Sequence, residues 1–164
     1  METRPFAQKD RCALQEIYLE SRKKAFYWMD SSQFNVTDFD HDTDGERLWV
    51  ATNDEHPVGF ISVWIKNNFI HHLFVHPSNY GKGIGSALLK VCLDNISRPA
   101  NLKCLEKNIS ARNFYLSSGW KITGSGDGPD GRYDLFQFGE ASPKMSTNFG
   151  YFKSNVFDLR RRSS

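Results

Sequence analysis

His71 and His72 stand side by side ahead of Leu73-Phe74-Val75-His76-Pro77, and the alternate glycines Gly81, Gly83 and Gly85 follow. Imidazole titrates close to neutral pH, so either histidine could take a proton from a substrate. Glycines let main-chain N–H groups close on a ligand, and the helix expected from Ile84 onward offers unpaired N–H donors and a positive dipole end. Strand, turn, glycines and helix together make an anion cradle suited to a pyrophosphate.

Two nucleotide-binding patterns compete for this stretch. A dinucleotide fingerprint needs G-x-G-x-x-G, but here Ser86 occupies the last glycine position, although Glu106 stands near the place of the ribose-binding acid. Tyr80-Gly81-Lys82-Gly83-Ile84-Gly85, after Leu-Phe-Val-His-Pro, resembles instead the acetyl-CoA loop of the Gcn5-related N-acetyltransferases (GNAT), with Tyr80 in place of its leading Gln/Arg. Asn108-Ile109-Ser110-Ala111-Arg112-Asn113-Phe114-Tyr115, closed by Gly119-Trp120, is similar to the second signature of that family, at the expected separation. The two blocks in this order identify the chain as a member of the family over about residues 3–138.

The resemblance implies direct acetyl transfer from acetyl-CoA, as co-substrate and without a metal, to a primary amine. A lysine-like ammonium has a pKa near 10.4, so presenting it neutral at pH 7 costs about 4–5 kcal/mol. Family members draw a base from the strand before the loop, which makes His71 and His72 the candidates, with His71 favoured. Strand alternation sets His71, Leu73 and Val75 on one face and His72 and Phe74 on the other, provided no bulge intervenes. By the same resemblance Tyr115 protonates the departing thiolate and Asn108 holds the pantetheine or the site backbone. Main-chain groups of Leu73, Phe74 and Val75 pair with the pantetheine, and Tyr80, Gly81, Lys82, Gly83, Ile84, Gly85 and Ser86 hold the pyrophosphate. A non-catalytic acyl-CoA sensor remains the alternative.

The acidic run Asp38-Phe39-Asp40-His41-Asp42-Thr43-Asp44-Gly45-Glu46 begins like an EF-hand loop, but its twelfth position is Ala51 where a bidentate Glu is required, which argues against calcium. As a loop leading into a strand, it would offer Asp42, Asp44 and Glu46 to a cationic acceptor at the cleft entrance. A small cationic amine and a protein lysine or N-terminus fit equally well.

The elements that must position these groups follow from periodicity and turn chemistry. Strands are expected at 3–8, 47–52, 58–66, 69–75, 102–106, 120–123 and 133–138. Helices are expected from Asp10 with Leu14, Ile17, Tyr18 and Ser21 inward, in part of 25–39, at 84–96 and at 110–118. Residues 124–131 read as a Gly/Asp-rich loop. This order fits an α+β fold, a single domain with a mixed, mostly antiparallel sheet flanked by helices, over residues 1–138. Residues 139–164 form an extension of open role ending in Arg160-Arg161-Arg162.

Composition narrows the class further. A net charge of +2 with 39% hydrophobic residues describes an ordinary globular chain and speaks against a nucleic-acid partner. Cys12, Cys92 and Cys104 form no C-x-x-C pair and read as reduced, packed thiols of a cytoplasmic protein. No apolar run reaches membrane-spanning length. The oligomeric state stays open, with a homodimer among the options.

Overall fold

The computed structural model describes residues 1–140, which form two compact units, residues 1–96 and the chain from Ser97 onward. The expected extension and its arginines therefore lie almost wholly outside the described residues.

The first unit contains β1 (Glu2–Pro5), α1 (Arg11–Ala25), α2 (Asp38–Asp42), β2 (Arg47–Asn53), β3 (His56–Trp64), β4 (Phe69–Val75) and α3 (Ile84–Asp94). Its four strands pair antiparallel in sequence order. Helices cover both faces. Tyr18 of α1 and Phe39 of α2 pack with Phe60 and, through Tyr18, with His72 and Phe74. On the opposite face a Cβ at Gly59 would lie 2.9 Å from the Phe74 carbonyl oxygen and 3.2 Å from Leu88, so a glycine is what lets β3 approach α3. Leu14, Ile17, Tyr18 and Ser21 are buried, as the helical spacing predicts.

The second unit contains β5 (Ala100–Leu105), α4 (Ile109–Ser117), β6 (Lys121–Gly128) and β7 (Gly131–Phe138), with β7 paired antiparallel to both β5 and β6. Leu102, Cys104, Tyr115, Trp120 and Phe136 form its core. The α+β class with mostly antiparallel strands is thus the one expected.

Three expectations are corrected. Residues 124–128 continue β6 instead of forming a loop. The acidic run is a loop only in its second half, because Asp38–Asp42 is helical and residues 43–46 turn into β2. Cys12 is exposed, whereas Cys92 and Cys104 are buried. Burial pushes the Cys104 thiol up to about 12, with help from the Asp134 carboxylate, and this makes it a poor nucleophile. Among the described residues, no helix is long and apolar enough to cross a membrane.

Candidate active site

The strand carrying the histidines ends where the sequence reading put it, at Phe69–Val75. Its pairing with β3 skips one residue: Ser62 faces His72 and Val63 faces Ile70, so His71 has no opposite number. This is a β-bulge, which turns a side chain out of the ladder's alternation. From His72 onward the alternation holds, with His72 and Phe74 buried and Leu73 and Val75 partly exposed. His71 is partly exposed with Leu73 and Val75, on the face that alternation assigns it, and the bulge shows instead at Phe69 and Ile70, which are both buried.

The two histidines occupy different environments. His72 is 6% exposed and lies edge-on to Tyr18, with ring centroids 5.3 Å apart. Its Nδ1 lies 2.7 Å from the Ser62 hydroxyl. Burial, offset in part by the Asp42 carboxylate, holds its pKa down to about 4. The side chain of His71 keeps 20% of its surface exposed, and its Nδ1 meets Oε1 of Glu46. Glu46 is itself only 3% exposed at its side chain, and its Oε2 lies 3.5 Å from His72 Nδ1. Among the described residues, no group of three or more His, Cys, Asp or Glu is arranged to hold a metal ion.

A buried neutral histidine makes folding pH-dependent. The folded pKa of His72 lies below the unfolded value near 6.5, so on acidification the unfolded chain takes up the proton first. Its contribution is complete above about pH 6.5 and is lost as pH falls towards 4, a change of about 3 kcal/mol. Unfolding free energy measured at pH 7.5 and 4.5 should therefore fall more steeply in the wild type than in His72→Gln. Parallel pH curves would contradict this account.

The acidic run is largely consumed within the fold. Asp38 pairs with Arg22, and Asp40 takes both Arg11 and Gln15 of α1. Oδ2 of Asp42 accepts the Tyr18 hydroxyl proton at 2.8 Å, and Glu46 is turned inward to His71. Of the three acids expected at an entrance, Asp44 is the exposed one.

After β4 the chain turns at Pro77–Asn79, and Gly81 and Gly83 both adopt φ of 75°, in the left-handed region. A Cβ at either would meet nothing within 4 Å, so backbone conformation rather than crowding calls for glycine there. Gly83 caps α3, whose Ile84 is buried, while Gly81, Lys82, Gly83 and Ser86 are exposed. The first-turn N–H groups of an eleven-residue helix thus follow an open glycine turn, an arrangement that fits a pyrophosphate. Lys82 Nζ donates to Asn79 Oδ1 at 3.0 Å, and Tyr80 is exposed. Ser21 Oγ donates to the Val75 carbonyl at 2.8 Å, so α1 fixes the end of β4.

In the second unit, Asn108 caps α4, its Oδ1 accepting the Ala111 N–H at 3.3 Å. Tyr115 is 8% exposed and packs against Phe114, Trp120 and Phe136. Burial pushes its phenol well up, so it remains protonated across the physiological range. Sequence reasoning missed Ser62 and Tyr18 as partners of this chemistry and gave Glu46 no partner. Ten and 25 residues separate Ser62 and Glu46 from their histidines, and no local pattern marks such pairs.

Comparison with known proteins bears on the family and the fold. A family model described as an acetyltransferase (GNAT) domain matches residues 18–131. The peptidyl-lysine N-acetyltransferase YjaB of Salmonella typhimurium is 33% identical over 84 residues, 51% of this chain and 56% of that protein. The chain thus spans about half the length of this curated relative. The solution structure of apo-form YjaB from Escherichia coli has a TM-score of 0.69 at 21% identity, covering 85% of this chain and 98% of that one. The PaiA N-acetyltransferase of Thermoplasma acidophilum, solved in complex with coenzyme A, has a TM-score of 0.65 at 19% identity, covering 82% and 96%.

Proposed function

The chain belongs to the acetyltransferase (GNAT) domain family, and on that premise we propose that it transfers acetyl from acetyl-CoA directly to a primary amine, with protein lysine as the favoured acceptor. The observation that carries the reading is the partly exposed His71, bulged out of β4 immediately ahead of the glycine turn and α3. The acceptor class rests on relatives named for peptidyl-lysine, and consumption of the acidic run within the fold removes the argument for a small polycation.

Acetyl-CoA supplies the activated thioester. The glycine turn and the start of α3 bind its pyrophosphate. His71 takes the ammonium proton, and the neutral amine then attacks the thioester carbon. The C–N bond forms as the C–S bond breaks, the nitrogen gives up its second proton to water, and the CoA thiolate leaves and takes a proton from water. His72 is the weaker candidate for the base, because an imidazole held near 4 inside the core is poorly matched to neutral pH.

The test is CoA release from acetyl-CoA, read by mass, with lysine peptides, amino acids, polyamines and aminoglycosides as acceptors. Acceleration by lysine peptides is the expected result. Acetyl-CoA binding without acceleration by any amine would favour the sensor. Gly83→Ala should bind acetyl-CoA about tenfold less tightly, because a left-handed residue with a Cβ costs about 1–2 kcal/mol and the turn relaxes to avoid it. Unchanged affinity by titration calorimetry would remove Gly83 from the cradle.

A further inference from the structure

We infer that Glu46 is the positioning residue of His71: it holds the imidazole proton on Nδ1, so that Nε2 carries the lone pair offered to the substrate. The inference rests on His71 being the base, as proposed above. An imidazole nitrogen that meets a carboxylate oxygen is the donor, so the contact of Nδ1 with Glu46 Oε1 selects the tautomer.

Three features hold Glu46 in place for this task. Its side chain is 3% exposed, too little for a solvating surface acid. Its backbone N–H donates to the Thr43 carbonyl at 3.1 Å, which closes the turn after α2. Gly45 precedes it with φ of 77°, and a Cβ there would lie 3.2 Å from the Trp64 ring, so this turn is shaped against the end of β3. The partner is equally prepared, because the bulge in β4 releases His71 from the ladder. Oε2 of Glu46 is buried without a hydrogen bond, 3.5 Å from His72 Nδ1. A carboxylate left half satisfied in the interior is destabilising by itself, and a role at His71 explains why the turn retains it.

The decisive experiment joins a spectroscopic and a kinetic readout on the full chain. Nitrogen-15 NMR of labelled histidine should show the neutral His71 ring protonated at Nδ1 in the wild type, with the Nε2 tautomer gaining population in Glu46→Gln, whose neutral amide oxygen is the weaker acceptor. Where transfer is measured, Glu46→Gln should lower kcat by about 10–100-fold with acetyl-CoA affinity unchanged. It should add nothing further in a His71→Asn background, because both substitutions remove one function. A wild-type ring protonated at Nε2, or an equal loss from Glu46→Gln in both backgrounds, overturns the assignment. The NMR result stands independently of turnover: an Nδ1 tautomer in a chain that transfers no acetyl supports the pairing and overturns only the functional reading.

Discussion

His71→Asn is expected to lower kcat by about 10²–10⁴-fold while leaving acetyl-CoA affinity within about twofold, the span that a positioned general base contributes. The asymmetry follows from geometry. His71 sits on the bulge of β4 with a fifth of its side chain exposed, whereas the proposed cradle, the glycine turn and the start of α3, lies beyond Val75. Asparagine keeps a polar group against Glu46, so the fold should survive, but it has no nitrogen of suitable basicity. Mass-detected CoA release and calorimetric titration with acetyl-CoA separate the two quantities. Wild-type turnover in His71→Asn would remove the base from this residue. Equal loss of affinity and turnover would make it a structural or binding group. His72 provides the contrast: its replacement should act on acid stability first, through its partner Ser62 and its packing on Tyr18.

The second large effect concerns Arg22. Its side chain is fully buried, with the guanidinium carbon 3.8 Å from the Tyr18 ring centroid and 4.8 Å from that of Phe34. It donates to Asp38 at 3.1 Å, to the Asn35 carbonyl at 3.1 Å and to the Tyr18 carbonyl at 3.2 Å. These bonds join α1 to the turn that opens α2. Arg22→Leu leaves the Asp38 carboxylate in the interior without its cation, which typically costs about 3–5 kcal/mol. The urea midpoint should fall by about 2 M, at a slope of about 2 kcal/mol per molar. Adding Asp38→Asn should restore part of it, because the stranded charge is the larger cost. A midpoint shift under about 0.5 M would mean that the pair is not what holds the two helices together.

Local chemistry predicted some elements well and others badly, for definable reasons. β4 was legible residue for residue because β-branched and aromatic side chains lie between an Asn-Asn turn and a proline. α1 was legible from its buried stripe. β6 was not, because Gly124, Gly126 and Gly128 argue against a strand. Its register sets Gly126 opposite Tyr133, and a Cβ at Gly126 would lie 2.5 Å from the Tyr133 hydroxyl. The glycines make room for a ring on the neighbouring strand, and only pairing reveals that. α2 failed similarly: its acids read as part of a loop facing a cationic acceptor, yet Arg11, Gln15 and Arg22, at least sixteen residues away, satisfy Asp38 and Asp40.

The sequence by itself determined the class of the molecule: the strand–turn–glycine–helix stretch, the Asn-x-x-Ala-x-x-Phe-Tyr block and the family they announce. These are local features, in which turn chemistry and helix starts depend on neighbours along the chain. The different environments of the adjacent histidines were set only by tertiary structure. His71 lies partly exposed and His72 in the core, and a glutamate 25 residues earlier in the chain meets His71 Nδ1 with one oxygen while the other lies 3.5 Å from His72. Burial and carboxylate contact set what an imidazole can do, and both depend on partners far away in sequence.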